Sequence, residues 1–186
     1  MGLIRWLVGS AMDANKAIKQ NNAKNNDSVE TVTINNQYSI DVPAYLSPTT
    51  ELSQDASLQY WNKTLDITIQ VIDEPKEDFI EVLRANGMDK ERTLLENLAA
   101  FTLTSIFEDI SKVDLFDKES CQINGLNALT LNAFQKSTFF KDGMFASLAL
   151  VEGKSHVYQI IIFSGGSSIS KLADKLQSVL YSFKEL

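Results

Sequence analysis

Residues 64–72 read TLDITIQVI, and the alternation in that stretch decides the fold class. Leu65, Ile67, Ile69 and Val71 point one way; Thr64, Asp66, Thr68 and Gln70 point the other. A period of two over nine residues is a strand, and an apolar-polar alternation predicts a sheet with one buried face. Upstream, Leu58–Trp61 predicts a short apolar partner strand, with Asn62-Lys63 turning the chain between them. Downstream the period changes. Asp73-Glu74-Pro75 opens a helix, with proline in a first-turn position and Glu77 and Asp78 beside the positive end of the dipole. Phe79, Ile80, Val82 and Leu83 give it an apolar stripe, and Asn86-Gly87 stops it. Asp89 can cap a second helix from about Lys90, carrying Leu94, Leu95, Leu98, Phe101, Ser105 and Ile106 toward a core.

Farther out, both ends return to strands. Val29–Ile34 and Gln37–Val42 flank Asn35-Asn36, a hairpin signal because asparagine tolerates positive φ. Pro43 and Pro48 end that pairing. After the helices, strands resume at Cys121, with an Asn124-Gly125 turn, a strand over Ala128–Phe134 and a turn at Lys141-Asp142-Gly143. Met144–Val151 and His156–Phe163 form the next hairpin, and the apolar run Val157–Phe163 predicts a central strand. Gly165-Gly166-Ser167-Ser168 leads into a last helix whose Ile169, Leu172, Ala173, Leu176, Val179, Leu180 and Phe183 keep the 3.6 period. Strand runs segregated from helix runs predict an α+β domain: an antiparallel sheet flanked by helices. No internal repeat is visible.

The 186 residues suffice for one domain with a core of its own. Residues 29–186 are expected to form it. Residues 1–28 read as a short helical segment followed by the polar linker QNNAKNNDS, residues 20–28. The segment MGLIRWLVGSA lacks the apolar length of a signal peptide, and no cysteine follows it for a lipid anchor. It reads either as a fraying terminal helix or as a docking helix presenting Leu3, Trp6 and Leu7. The net charge is −7, with +2 in residues 1–28 and −9 in the remainder. Such acidity repels phosphate backbones and anionic membranes, so nucleic acid is not an expected partner. No stretch is long enough to span a bilayer. A cytoplasmic location is expected, with a periplasmic or exported one as the alternative. The asparagine-rich linker and the three prolines suggest a bacterial protein.

Catalytic and metal signals are thin. The single histidine, His156, stands at a strand start in phase with Tyr158, and the single cysteine, Cys121, has no histidine nearby in sequence. The acidic run Asp73, Glu74, Glu77, Asp78 and Glu81 lacks the ligand spacing and glycine of a calcium loop, and helix-dipole compensation accounts for it. Gly165-Gly166-Ser167-Ser168 has neither the phosphate-loop lysine nor dinucleotide-binding spacing, so no cofactor is expected. Aromatic pairs remain. Tyr60-Trp61 and Phe139-Phe140 read as core filling or, for the pair just before a turn, as a partner anchor. Trp6, Phe139 and Phe140 are therefore the candidate partner-binding residues.

From Val29 onward the layout resembles the PsbP/Mog-like fold family, which includes DcrB-like bacterial proteins. The residues that carry the likeness are His156–Phe163 (HVYQIIIF), the small-residue turn Ser164–Ser168, and the closing Ser182-Phe183-Lys184. The early segment Gln37–Pro43 (QYSIDVP) and the turn Asn124–Ala128 fit as well. The resemblance implies an α/β/α sandwich and a role in binding or assembly rather than catalysis. No metal-site or Ran-contact residue of the family matches here, so none carries over. The leading expectation is a non-catalytic binding or assembly domain that engages a protein. The alternative is a small-ligand or lipid-binding module with a pocket between sheet and helix.

Overall fold

The computed structural model describes residues 28–87, 90–136, 143–165 and 175–186. Trp6, Phe139, Phe140, Asp89, the turn residues Lys141 and Asp142, and Gly166 to Ala173 lie outside them. Seven strands form one antiparallel sheet, in the order β3 (Ser47–Pro48), β4 (Leu58–Asn62), β5 (Ile67–Pro75), β9 (His156–Gly165), β8 (Met144–Glu152), β7 (Leu126–Gln135), β6 (Val113–Ile123). A smaller antiparallel sheet joins β1 (Val29–Ile34), β2 (Tyr38–Pro43) and β10 (Lys184–Glu185). Between β5 and β6 run α1 (Lys76–Ala85) and α2 (Leu94–Ile106); residues 175–182 are helical and form α3. As the apolar run Val157–Phe163 predicts, β9 takes the middle place.

Both faces of the large sheet are covered, as a sheet flanked by helices requires, although the alternation of residues 64–72 by itself predicts one buried face. On one face Ile67, Ile69 and Val71 of β5, with Ile160 and Ile162 of β9, meet Leu176, Val179, Leu180 and Phe183 from the end of the chain. Tyr38, Ile40 and Val42 of β2 close the same cluster. On the other face Leu129, Leu131, Leu148, Leu150 and Ile161 pack under Phe79 and Leu83 of α1 and Leu98 and Leu103 of α2. Thr68 and Gln70, on the polar side of the alternation, are consequently buried too. The layers are helices, sheet, and helix with small sheet: an α+β sandwich.

Local chemistry moves several boundaries. β5 starts at Ile67 because Asn62 Oδ1 accepts from Thr64 N and Leu65 N, both at 3.0 Å, and Asp66 turns at φ +52°. The strand then continues through Asp73 and Glu74, so Pro75 precedes α1 instead of opening it. α2 begins at Leu94, not near Lys90. Thr93 Oγ1 accepts from Glu96 N while Thr93 N donates to Glu96, a reciprocal cap that satisfies two otherwise orphaned donors. Val82 and Phe101, placed in apolar stripes by spacing, are exposed on their outer flanks. The largest difference is β6, which starts at Val113, eight residues before Cys121.

Candidate functional site

Among the described residues β6 is the outermost strand and pairs only with β7. Its pairing slips once: Phe116 faces Asn132 and Glu119 faces Thr130, so Asp117 and Lys118 together oppose Leu131. That is a β-bulge, with Asp117 at φ +52° taking the turn. The extra residue sends neighbouring side chains to opposite faces. Lys118 Nζ reaches Glu96 Oε1 at 3.2 Å on the α2 side. Asp117 accepts from Asn132 Nδ2 at 3.0 Å, and Ser147 Oγ donates to Asn132 Oδ1 at 2.8 Å. By strand alternation, Phe116, Glu119, Thr130, Asn132, Phe145 and Ser147 share the α3 face.

Here the described residues leave the cover over the sheet incomplete, with a groove of about 220 Å³. Thr130, Asn132, Phe145 and Ser147 form its floor, Asp117 and Glu119 its outer lip, and Leu176, Gln177, Leu180 and Tyr181 of α3 its inner wall. The Phe116 ring flanks it, 5.9 Å from that of Phe145. Phe116 and Tyr181 keep 40% and 37% of their surface in water, about as much as Val82 and Phe101 on the helices. Among the described residues no lysine or arginine lines the groove. With two rim carboxylates, an amide-hydroxyl floor and two exposed aromatics, the site can hold one large side chain and a cation beside it. An apolar cavity of about 150 Å³ holds a benzene ring, whereas small-ligand pockets run to about 300–1,000 Å³.

The residues singled out for chemistry do not converge. Cys121 and Tyr158 lie in one register row through Ala128 and Val151, three strand spacings or about 14 Å apart, and His156 is farther along β9. His156 lies opposite Pro75, near the acidic start of α1, with Ser155 Oγ 2.9 Å from its Nδ1. Tyr158 donates to Glu185 at 3.2 Å, and burial pushes its hydroxyl up to about 12, out of range for proton transfer near neutrality. Among the described residues no three histidine, cysteine or carboxylate groups stand close enough to hold a metal. None of their helices is long and apolar enough to cross a membrane. Trp61 is buried and Tyr60 half-buried, as core filling requires. Sequence reasoning missed Phe116, Asp117 and Tyr181. The bulge scrambles the period of two at Asp117-Lys118, and Tyr181 stands off the apolar stripe of its helix.

No protein-family model matches the sequence, and no curated protein matches it either. Solved structures do. Cyanobacterial PsbP (CyanoP) of Synechocystis sp. PCC 6803 superposes with a TM-score of 0.57 over 91% of this chain and 99% of its own, at 12% identity. The fold is PsbP-like. LpqN of Mycobacterium tuberculosis, described as involved in cell envelope biogenesis, superposes with a TM-score of 0.52 over 86% of each chain, also at 12% identity. The PsbP-like fold accounts for the sandwich and for the closing helix. At this identity it assigns no role to the groove beside β6.

Proposed function

We propose that the chain is a non-catalytic protein-binding module whose groove between the β6 bulge and α3 receives a segment of its partner. In this reading residues 29–186 are the binding domain and residues 1–28 a tethered segment. One observation carries it: two half-exposed aromatics, Phe116 and Tyr181, stand beside two carboxylates, with no cation among the described lining residues. That combination selects a lysine or arginine next to an apolar or aromatic side chain. Exposed charge pairs contribute only about 0–1 kcal/mol each, so the apolar contact supplies most of the affinity and the carboxylates choose the partner. A small-ligand or lipid module fits less well, because the groove is small for a ligand and its rim repels anionic headgroups. Strand addition along β6 is limited by the bulge and by Asp114, Asp117, Lys118 and Glu119, features that protect sheet edges.

Binding and assembly, rather than catalysis, is also what the PsbP-like fold suggests. LpqN's link to the cell envelope supports a periplasmic or exported setting at least as well as a cytoplasmic one. The test is selection of a displayed random-peptide library on the purified full-length chain. Segments pairing a basic residue with an aromatic or leucine should enrich, and the enrichment should vanish on Phe116→Ala and on Tyr181→Ala. Unselective recovery, or enrichment indifferent to both substitutions, refutes the groove as the binding site.

A further inference from the structure

We infer that the β8–β9 turn, residues 153–155, is a clasp joining the layers on the two faces of the large sheet, with β10 as its releasable end. The clasp is independent of the groove beside β6. On the small-sheet side the closing strand supplies the tie. Both Glu185 carboxylate oxygens accept from Lys154 N, at 3.0 and 3.1 Å, and Oε1 also accepts from the Tyr158 hydroxyl at 3.2 Å. Gly153 leaves room for this, since a Cβ there would collide with Glu185 Oε1 and with the Tyr158 ring. On the helix side the same turn receives α1. Lys76 N donates to Ser155 O at 2.9 Å, while Lys76 Nζ pairs with Glu152 Oε1 at 2.6 Å and reaches Gly153 O at 3.5 Å. One turn thus holds the last strand on one face and the first residue of α1 on the other.

A second tie from the small sheet lands on the same segment. Gln37 Nε2 donates to Asp73 Oδ2 at 3.1 Å, three residues before Lys76, and Asp73 pairs with Tyr158 in the β5–β9 ladder. The Tyr158 ring stands 4.7 Å from that of Phe183 and 5.7 Å from that of Tyr38, so the seat is packed as well as polar. β10 itself is slight. Its two residues pair with β2, Lys184 with Ser39 and Glu185 with Tyr38, and Leu186 N donates to Gln37 O at 2.9 Å. Elements with few ladder bonds open before the core does. Opening β10 withdraws the Glu185 carboxylate from the turn that receives Lys76. The two states, β10 docked and β10 open, form the switch, and the start of α1 reads it. A partner that takes β10 off β2 loosens the seat of α1, and a partner that grips α1 holds β10 shut.

Native-state amide hydrogen exchange of the full-length chain, read residue by residue by NMR, tests the clasp. Glu185→Gln keeps the size of the side chain and removes its charge. The telling signal is Lys76 N–H, because its own acceptor, Ser155 O, is untouched by the substitution. Its exchange should quicken about fivefold, the low end of coupling between linked sites. The reverse experiment is Lys76→Met, which takes the ammonium away from Glu152 and Gly153. It should quicken Leu186 N–H to a similar degree, since coupling is reciprocal. Gly153→Ala crowds Glu185 out of the turn and should reproduce the effect of Glu185→Gln at Lys76. Phe107 N–H, bonded to Leu103 O, and Thr49 N–H, bonded to Gln59 O, are the references and should keep their rates. A Lys76 N–H indifferent to Glu185→Gln, or a Leu186 N–H indifferent to Lys76→Met, overturns the clasp. So does equal acceleration of the references, which would make either effect a loss of global stability. Should Gly153→Ala fail to fold, the other two variants decide.

Discussion

β9 and β6 belong to the same sheet and are of nearly equal length, ten and eleven residues, yet they live in different solvents. Eight residues of β9 are buried, between neighbours on both sides and packed layers on both faces. In β6 only Ile123 is buried, and no described strand pairs with its outer edge. On the proposed function, the difference separates stability from recognition. A central strand must satisfy packing at almost every position, so it has no room for exposed charge. An edge strand with a bulge can set carboxylates and an aromatic ring in water beside a fixed floor. The most direct way to break this division is truncation on each strand. Ile162→Ala should cost about 2–5 kcal/mol, because it leaves a cavity in a core with no slack. Leu115→Ala, half exposed on β6, should stay within about 0.5 kcal/mol. Urea denaturation measures both, and comparable costs would mean that β6 is no free edge.

A second, smaller effect tests how β9 tolerates its polar residue. Gln159 is buried in the middle of the strand, where Thr102 Oγ1 of α2 donates to its Oε1 at 2.7 Å. Thr102→Val keeps the volume and removes the donor. It should cost about 1–3 kcal/mol, the range for stranding a buried acceptor. A neutral result would show that Gln159 finds another donor, and that the seat of α2 on β9 is apolar only.

These strands also differ in how legible they are. Val157–Phe163 announces itself, because burial on both faces leaves an unbroken apolar run. TLDITIQVI is legible as a strand but misleading about its faces. Thr68 and Gln70 are polar yet buried, and nothing in a period of two tells a polar residue under a helix from one in water. The closing helix is clear from Leu176, Val179, Leu180 and Phe183, all of which are buried. Val113–Ser120 is illegible as a strand for a physical reason: an edge strand is under no packing constraint to alternate, and the bulge resets what alternation there is. The groove inherits that obscurity, since Asp117, Asn132, Ser147 and Tyr181 meet only through register and helix placement.

Next in size is the link between the two regions. α2 packs over the sheet and, through Glu96, also holds Lys118 of the bulge. Thr93→Ala removes the cap on α2 and should cost about 1 kcal/mol. The backbone N–H of Thr93 first, and then Lys118, hold the Glu96 carboxyl below its ordinary value. A lowered folded-state value means that the contribution is present above the unfolded carboxylate range and is lost as pH falls through the folded value. The gap in melting temperature between the unaltered chain and Glu96→Gln should therefore close as pH is taken from 7 down to 3. A gap that persists in acid would assign the effect to packing.

The smallest expected effect on stability is the sharpest on recognition. Asp117 occupies a left-handed conformation that asparagine also accepts, and its amide oxygen can still take the hydrogen bond from Asn132. Asp117→Asn should leave stability within about 0.5 kcal/mol. Binding of a basic library-selected peptide should weaken by up to about fivefold, the size of one exposed charge pair, and the loss should shrink at high salt. Phe116→Ala removes contact area without touching charge, so its loss of binding should be larger and insensitive to salt. If the two variants instead show the same salt dependence, the carboxylate and the ring do not act as separate parts. The groove would then work as an apolar cleft whose acidic lip is there only to keep an exposed edge from pairing with its neighbours.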